Sequence, residues 1–233
     1  MALKPYLAIT NAEFYSLPQL PPHPAWMACH FSGYSSGLSN MPDTFPPDSL
    51  IMLDDSTPVG GHDPQRILQE LTGLYEQIKP TGFLLDFQRA GSPETAQLVR
   101  LLSQALPCPV VVSHLYASGL DCPVFLPPPP LHKPLTEHLK PWKGREIWLE
   151  IAPDSQVLTV TQEGCQLSPG DFSELTEPVF YHDSLFCRYH TQVLKDRVIF
   201  TLQRGQQDWE ALLAQAEKLG VRCCVGLYEN SRI

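Results

Sequence analysis

Short apolar runs recur along the chain, and most of them end abruptly in polar residues. The clearest run, residues 82–85, is followed at once by Asp86, Phe87, Gln88 and Arg89. A continuous apolar run is typical of a parallel strand that is buried on both faces. Polar residues at the carboxyl end of such a strand would lie at the mouth of an α/β barrel, where these folds place their chemistry.

Three segments with the apolar spacing of amphipathic helices separate these runs. They cover residues 64–78, 93–105 and 208–219. Asp or Ser stands directly before the first two, and Pro opens both of them, as is typical of helix N-termini. We expect these to be the only full-length helices, packed on the outside through Leu71, Leu102 and Leu212. No helical period occurs in 32–48.

Eight apolar runs are predicted as strands, at residues 26–30, 50–53, 82–87, 110–114, 124–126, 147–151, 198–202 and 222–227. Eight strands close a (β/α)8 barrel, and successive strand–helix–strand units favour parallel pairing. The sequence therefore predicts a single α/β domain over residues 1–233, a TIM-like barrel with several outer helices missing or shortened. An open, doubly wound sheet is the alternative. The expected core includes Leu85, Val111, Ile199 and Val225.

One departure from the barrel pattern is expected in the second half of the chain. Residues 147–151 and 156–160 flank a polar turn at Pro153, Asp154 and Ser155. This spacing predicts an inserted antiparallel β-hairpin. Glu150, at the end of the first run, is a further polar group for the barrel mouth, and a solvated position before the turn is its structural alternative. Residues 6–10 indicate a further short strand outside the eight.

Composition and charge exclude several classes of function. Hydrophobic residues make up 43% of the 233 residues, and the formal net charge is −9 at pH 7. An acidic chain without a basic run is not expected to bind nucleic acid. No apolar stretch reaches the length of a membrane span, and the N-terminus lacks the apolar core of a signal peptide. We therefore expect a cytoplasmic protein that binds neither nucleic acid nor membranes.

The cysteines and histidines do not predict a metal site. The chain has seven cysteines but no Cys-x-x-Cys pair, which argues against a disulfide framework and against a thiolate zinc site. His62, His182 and His190 also lack the spacing of metal ligands. We expect neither a metal nor another cofactor.

Polar side chains at the predicted strand ends should gather at the barrel mouth. The candidate catalytic carboxylates are Asp54, Asp86 and Glu229. The candidate substrate-binding residues are Gln88, Arg89, His114, Tyr116, Tyr34 and Tyr228. Structural alternatives exist for several of these: Asp86 as an ion-pair partner, Asp54 as part of a turn, and His114 as a buried histidine. Because Asp54 and Asp55 are adjacent, one must point away from the other.

The run that ends at Gln88 resembles the fourth-strand motif of family 18 glycoside hydrolases, a DxxDxDxE pattern often written DGIDIDWE. Gly82, Asp86 and the aromatic Phe87 occupy matching positions, over about eight residues. The resemblance implies a barrel fold and a small carbohydrate ligand. It also implies that Asp86 would steady the acetamido group of the sugar.

Two positions depart from the family pattern, and one of them changes the chemistry. Leu84 replaces the preceding Asp, and Gln88 replaces the final Glu, which protonates the glycosidic oxygen in the family. A general acid must carry a transferable proton, whereas an amide only donates and accepts hydrogen bonds. The family's hydrolytic route is therefore expected to be absent or crippled.

Three functional interpretations follow. The first is a glycoside-hydrolase-like barrel with a degenerate motif that binds carbohydrate without efficient hydrolysis. The second is an active glycoside hydrolase that uses other carboxylates, such as Asp54, Asp86 and Glu229. The third is a non-enzymatic interaction module with Pro-rich loops, although the four prolines at 127–130 favour a rigid connection between barrel elements.

Overall fold

The computed structural model describes residues 3–57, 60–89 and 91–231. The strands are β1 Lys4–Ile9, β2 Pro24–Phe31, β3 Leu38–Ser39, β4 Leu50–Asp54, β5 Gly82–Asp86, β6 Val110–Ser113, β7 Val124–Leu126, β8 Ile147–Ile151, β9 Asp154–Thr161, β10 Gly164–Pro169, β11 Val179–His182, β12 Cys187–Val193, β13 Arg197–Arg204 and β14 Val221–Leu227. The helices are α1 Asn11–Ser16, α2 Pro64–Ile78, α3 Pro93–Ala105, α4 Leu135–Leu139 and α5 Gln206–Lys218, and short 3-10 helices cover Lys140–Trp142 and Glu229–Ser231.

Eight parallel strands form a closed barrel, which confirms the predicted architecture. Their order around the barrel is β1, β2, β4, β5, β6, β7, β8 and β14. The barrel closes because β1 pairs in parallel with both β2 and β14. The alternative of an open sheet is therefore wrong.

Two predicted strand assignments are corrected. The barrel strand missing from the predicted eight is β1, whereas residues 198–202 belong to β13 in a separate antiparallel sheet ordered β10, β9, β13, β12 and β11. This five-stranded sheet is inserted between β8 and α5. Ile199, expected in the barrel core, therefore lies in the inserted sheet.

The predicted hairpin between residues 147–151 and 156–160 is wrong. Strand β8 pairs in parallel with β7 and β14 inside the barrel. Both of its edges are occupied, so β9 cannot fold back on it and pairs with β10 and β13 instead. What was expected as an inserted hairpin is thus an inserted five-stranded sheet.

Alternating side chains divide the barrel strands into an inner and an outer layer. Leu84, Val111 and Val225 belong to one buried cluster inside the barrel. Leu85, expected in the core that the strands enclose, belongs instead to the cluster beneath the helices. On β5, therefore, even-numbered side chains face the barrel interior, and this parity directs Asp86 toward the mouth.

The helix predictions are confirmed closely. Helices α2 and α3 have the predicted bounds, and α5 begins two residues before the predicted position. It begins earlier because Asp208 lies within the first turn and does not precede the helix. From there its carboxylate accepts a hydrogen bond from the Gly205 amide at 2.8 Å, and Gly205 is the N-cap residue. Leu71, Leu102 and Leu212 are buried as expected.

Candidate functional site

A cavity of about 430 Å³ opens at the carboxyl ends of strands β5 to β8. Its lining residues are Asp86, Gln88, Ser113, His114, Leu115, Phe125, Pro127, Pro128 and Glu150. The strands place these groups together because parallel strands all end at the same rim of the barrel. The cavity is therefore where the molecule can bind a small ligand.

Asp86 and Gln88 lie side by side at this rim. The Gln88 Nε2 amide donates to both Asp86 carboxylate oxygens, at 3.3 Å each. Phe87 between them points outward, is fully buried, and packs against Phe31 and Tyr116. Asp86 and Gln88 thus project to the same side, as predicted, although β5 ends at Asp86 and Gln88 lies just beyond it.

Asp55 fixes the backbone that carries Gln88. One of its carboxylate oxygens accepts from the Gln88 amide at 2.9 Å, and the other accepts from the Arg89 amide at 3.0 Å. Its side chain is 5% exposed. Asp55 therefore fixes the loop after β5, and its carboxylate is not part of the cavity lining.

Gly82, which matches the motif, is required by packing. A Cβ at this position would lie 2.7 Å from the Pro109 carbonyl oxygen. That same carbonyl accepts from the Phe83 amide at 3.0 Å. Only glycine lets β5 approach this backbone so closely.

The two acids of the cavity have strongly altered proton affinities. Burial raises the pKa of Asp86 to about 6, against a hydrogen bond from Gln88 and with help from the charges of Asp54 and Asp55. Burial also raises the pKa of Glu150 to about 7, and the Asp86 charge adds to this effect. Near neutral pH, the two carboxyl groups together therefore retain a proton.

The opposite wall of the cavity comes from β6 and the proline run. Ser113 is 3% exposed and lies on the inner face of β6. Burial lowers the pKa of the neighbouring His114, so its imidazole is neutral near pH 7. The Pro127 carbonyl contacts His138 Nε2 at 3.1 Å. Pro127 and Pro128 line the cavity, so the first half of the proline run forms part of its wall.

Of the residues predicted from the sequence, the cavity brings together Asp86, Gln88 and His114. Asp54 lies beside Asp86 in the strand register, and its carboxylate accepts from the Ser56 amide at 2.7 Å. It is close enough to raise the pKa of Asp86. Asp54 therefore borders the cavity.

The other candidates lie away from the cavity lining. The Arg89 guanidinium donates to the Ser56 carbonyl, and the Tyr116 hydroxyl donates to the Arg89 carbonyl at 2.8 Å, where Tyr116 packs in the outer layer. Tyr34 is fully exposed in its loop. Tyr228 packs against the outer cluster, and Glu229 is exposed in the last 3-10 helix.

Sequence reasoning underrated Glu150 and overlooked Ser113. Glu150 was a weak candidate for the barrel mouth because a solvated position beside a hairpin turn was the alternative, but it is partly buried at the end of a barrel strand. The available signal was its parity: it stands two residues after Trp148, which faces the barrel interior. Ser113 follows Val111 in the same way.

Within the residues that the structure describes, no group of three or more His, Cys, Asp or Glu side chains is placed to hold a metal ion. Across the same residues, no helix is long and apolar enough to span a membrane.

The fold is similar to solved structures of chitinase-like proteins. A family 18 N-acetylglucosaminidase from Paenibacillus barengoltzii superposes with a TM-score of 0.62 at 11% identity, over 99% of this chain and 96% of that chain. A plant class V chitinase mutant from Cycas revoluta, solved in complex with (GlcNAc)3, gives a TM-score of 0.60 at 11% identity, over 98% and 96%. The C-terminal domain of a putative chitinase from Desulfitobacterium hafniense gives 0.58 at 10% identity, over 99% and 94%.

These likenesses establish the fold. The chain shares with these proteins an eight-stranded parallel barrel, as the resemblance of strand β5 implied. No family model matches the sequence, and no curated protein matches it.

Proposed function

We propose that the cavity binds a small carbohydrate and that the chain does not hydrolyse it by the family 18 route. The observation that carries this proposal is the Asp86–Gln88 pair. Both side chains belong to one cavity, and the position of the family's proton donor holds an amide. An acceptor beside a group that both donates and accepts suits sugar hydroxyls, and such binding needs no proton transfer.

The shape of the cavity supports a small ligand over an interaction module. Phe125, Pro127 and Pro128 offer apolar surface on which the hydrophobic face of a sugar ring can pack. Pro127 and Pro128 are part of this wall, so they are not a free peptide motif. A concave site with a few convergent polar groups is typical of small-molecule binding.

The test is calorimetric titration of the full chain with β-linked hexosamine trisaccharides, with and without N-acetyl groups. Wild-type protein should bind at least one of them, and Asp86→Ala should weaken that binding by about 10-fold or more, as expected for loss of a buried charged hydrogen-bond partner. Asp196→Ala is the matched control, because this acid lies on the surface with its side chain 76% exposed. Equal affinity of both variants for every trisaccharide would refute the proposal.

Hydrolysis by other carboxylates is the second candidate function. It is favoured by one observation: Glu150 shares the cavity with Asp86, and burial keeps a proton available near pH 7. Two carboxyl groups, one of them protonated, are the usual equipment of a glycosidase. Robust turnover that is lost in Glu150→Gln would support this candidate, whereas Glu229→Gln should leave it unchanged because Glu229 is exposed outside the cavity.

A further inference from the structure

The barrel mouth collects negative charge. Asp86 and Glu150 line the cavity, and Asp54 and Asp55 lie close enough to raise the pKa of Asp86. Asp55 is already neutralised in part by two backbone amides. Among the described residues, Asp86 accepts only the two long hydrogen bonds from the Gln88 amide, at 3.3 Å.

No cation of the protein balances these acids within the described part of the chain. The ion pairs found there are Arg66–Glu70, Arg188–Asp208 and Arg197–Asp196. The positive group nearest in sequence, Arg89, directs its guanidinium to the Ser56 carbonyl. The titratable groups that face the cavity from the other elements are His114, which burial keeps neutral, and behind it His138, whose pKa burial also lowers.

An independent feature also indicates a missing partner. The Ser113 side chain is 3% exposed and lines the cavity, yet within the described residues its hydroxyl makes no hydrogen bond. The Ser113 oxygen is open to the cavity and is not sealed inside the protein, so a ligand bound there can form a hydrogen bond with it. The cavity therefore offers a ligand two carboxyl groups without a balancing cation and one hydroxyl that no described residue engages.

We propose that the cavity selects a sugar that carries a protonated primary amine, with the ammonium group bound between Asp86, Glu150 and the Ser113 hydroxyl. The inference deepens the proposed function and rests on it. An ammonium group has three N–H donors, which matches two carboxylates and one hydroxyl. An N-acetylated sugar offers a neutral amide at the same position and leaves the two acids unbalanced.

The charge balance of binding follows directly. In the free protein, the two cavity acids retain a proton between them near neutral pH. A bound ammonium favours the ionised form of both acids, so binding expels that proton to the solvent. A neutral sugar leaves the proton in place.

The experiment compares the β-linked trisaccharide of glucosamine with that of N-acetylglucosamine, by calorimetry on the full chain at about pH 6.5. We expect the amino form to bind about 10-fold or more tightly, as expected for a partly buried charge pair. Its binding should release up to about one proton, read from titrations in buffers of different ionisation enthalpy. Glu150→Gln should abolish the preference, and Glu229→Gln should retain it.

The outcomes separate this inference from the proposed function. Equal or tighter binding of the N-acetylated form overturns the inference and leaves carbohydrate binding intact. Preference for the amino form without sensitivity to Glu150→Gln also overturns it, because the charge would then be recognised elsewhere. If neither trisaccharide binds, both proposals fail. Circular dichroism of the Glu150→Gln protein verifies that it is folded.

Discussion

Buried charge is handled in opposite ways in two regions of the molecule. In the inserted sheet, Arg204 is 2% exposed, and its guanidinium donates to the carbonyls of Phe186, Pro129 and Leu185 at 3.0, 2.6 and 2.6 Å. At the barrel mouth, Asp86 receives two contacts of 3.3 Å from one amide. Within the described residues, the Glu150 carboxylate accepts no hydrogen bond from any group.

Structural and functional charges differ in whether the chain itself supplies their hydrogen-bond partners. A buried ion whose hydrogen bonds are all made within the chain stabilises the fold, and Arg204 ties β13 to the proline wall of the cavity. A partly buried ion with few or long hydrogen bonds in an open cavity destabilises the fold. Asp86 and Glu150 are of the second kind, and a ligand can supply what they lack.

Arg204→Met removes the buried guanidinium that is fully paired within the chain. It should change the free energy of unfolding more than any of the other substitutions below. It leaves three carbonyls without their donor, so the free energy of unfolding should fall by about 3 kcal/mol or more. Urea denaturation measures this change. Arg197→Met on the same strand is the control, since its side chain is 48% exposed, and it should change stability by no more than about 0.5 kcal/mol. Similar small effects of both substitutions would contradict the structural role of Arg204.

Substitutions of Asp55, which follows β4, and of Asp86, which ends β5, should give the next largest difference in stability. Asp55→Ala removes the acceptor of the Gln88 and Arg89 amides and should lower the free energy of unfolding by about 2 kcal/mol. Asp86→Ala should cost little and can stabilise the protein above pH 7, because it removes an unbalanced buried charge. Urea denaturation of both variants at one pH tests this contrast. Greater destabilisation by Asp86→Ala than by Asp55→Ala would reverse our assignment of the two acids.

Glu150→Gln should change the free energy of unfolding by a smaller amount, and it should stabilise the protein, whereas Arg204→Met and Asp55→Ala destabilise it. Burial raises the pKa of Glu150 from 4.5 to about 7, so the folded state binds a proton that the unfolded state has lost between these values. Wild-type stability therefore falls as pH rises through this window. The variant should be more stable than wild type by about 1–2 kcal/mol at pH 8 and no more stable at pH 4. A stability difference that does not change with pH would argue against the burial of this carboxyl.

Much of the barrel could be predicted because local signals were strong. The bounds of α2 and α3 follow from Asp63 and Ser92 as caps, each before a proline. Strand β1 was predicted only as a short strand outside the eight. Its segment contains Pro5, and proline is disfavoured in a central strand because it has no backbone N–H to donate. Strand β13 was misplaced because its apolar residues resemble those of a buried parallel strand, although it pairs in an antiparallel sheet that leaves Ile199 partly exposed.

The sequence predicts those site residues whose direction follows from the alternation of side chains along a strand. Asp86 and Gln88 follow from alternation along β5, and His114 follows from its position after β6. Glu150 was misjudged because the hairpin prediction gave it the wrong neighbours. The positions of Tyr34 and Glu229 depend on loop and terminal geometry, which local sequence does not encode.

The most direct test of the central claim measures binding and turnover in one sample. Wild-type protein is incubated with hexosamine trisaccharides, saturation is followed by ligand-observed NMR, and the products are quantified by chromatography. We expect saturable binding that Asp86→Ala weakens, with each trisaccharide recovered intact; Gln88→Glu should then yield at most a trace of product. Robust hydrolysis by the wild type that Asp86→Ala abolishes would contradict the account.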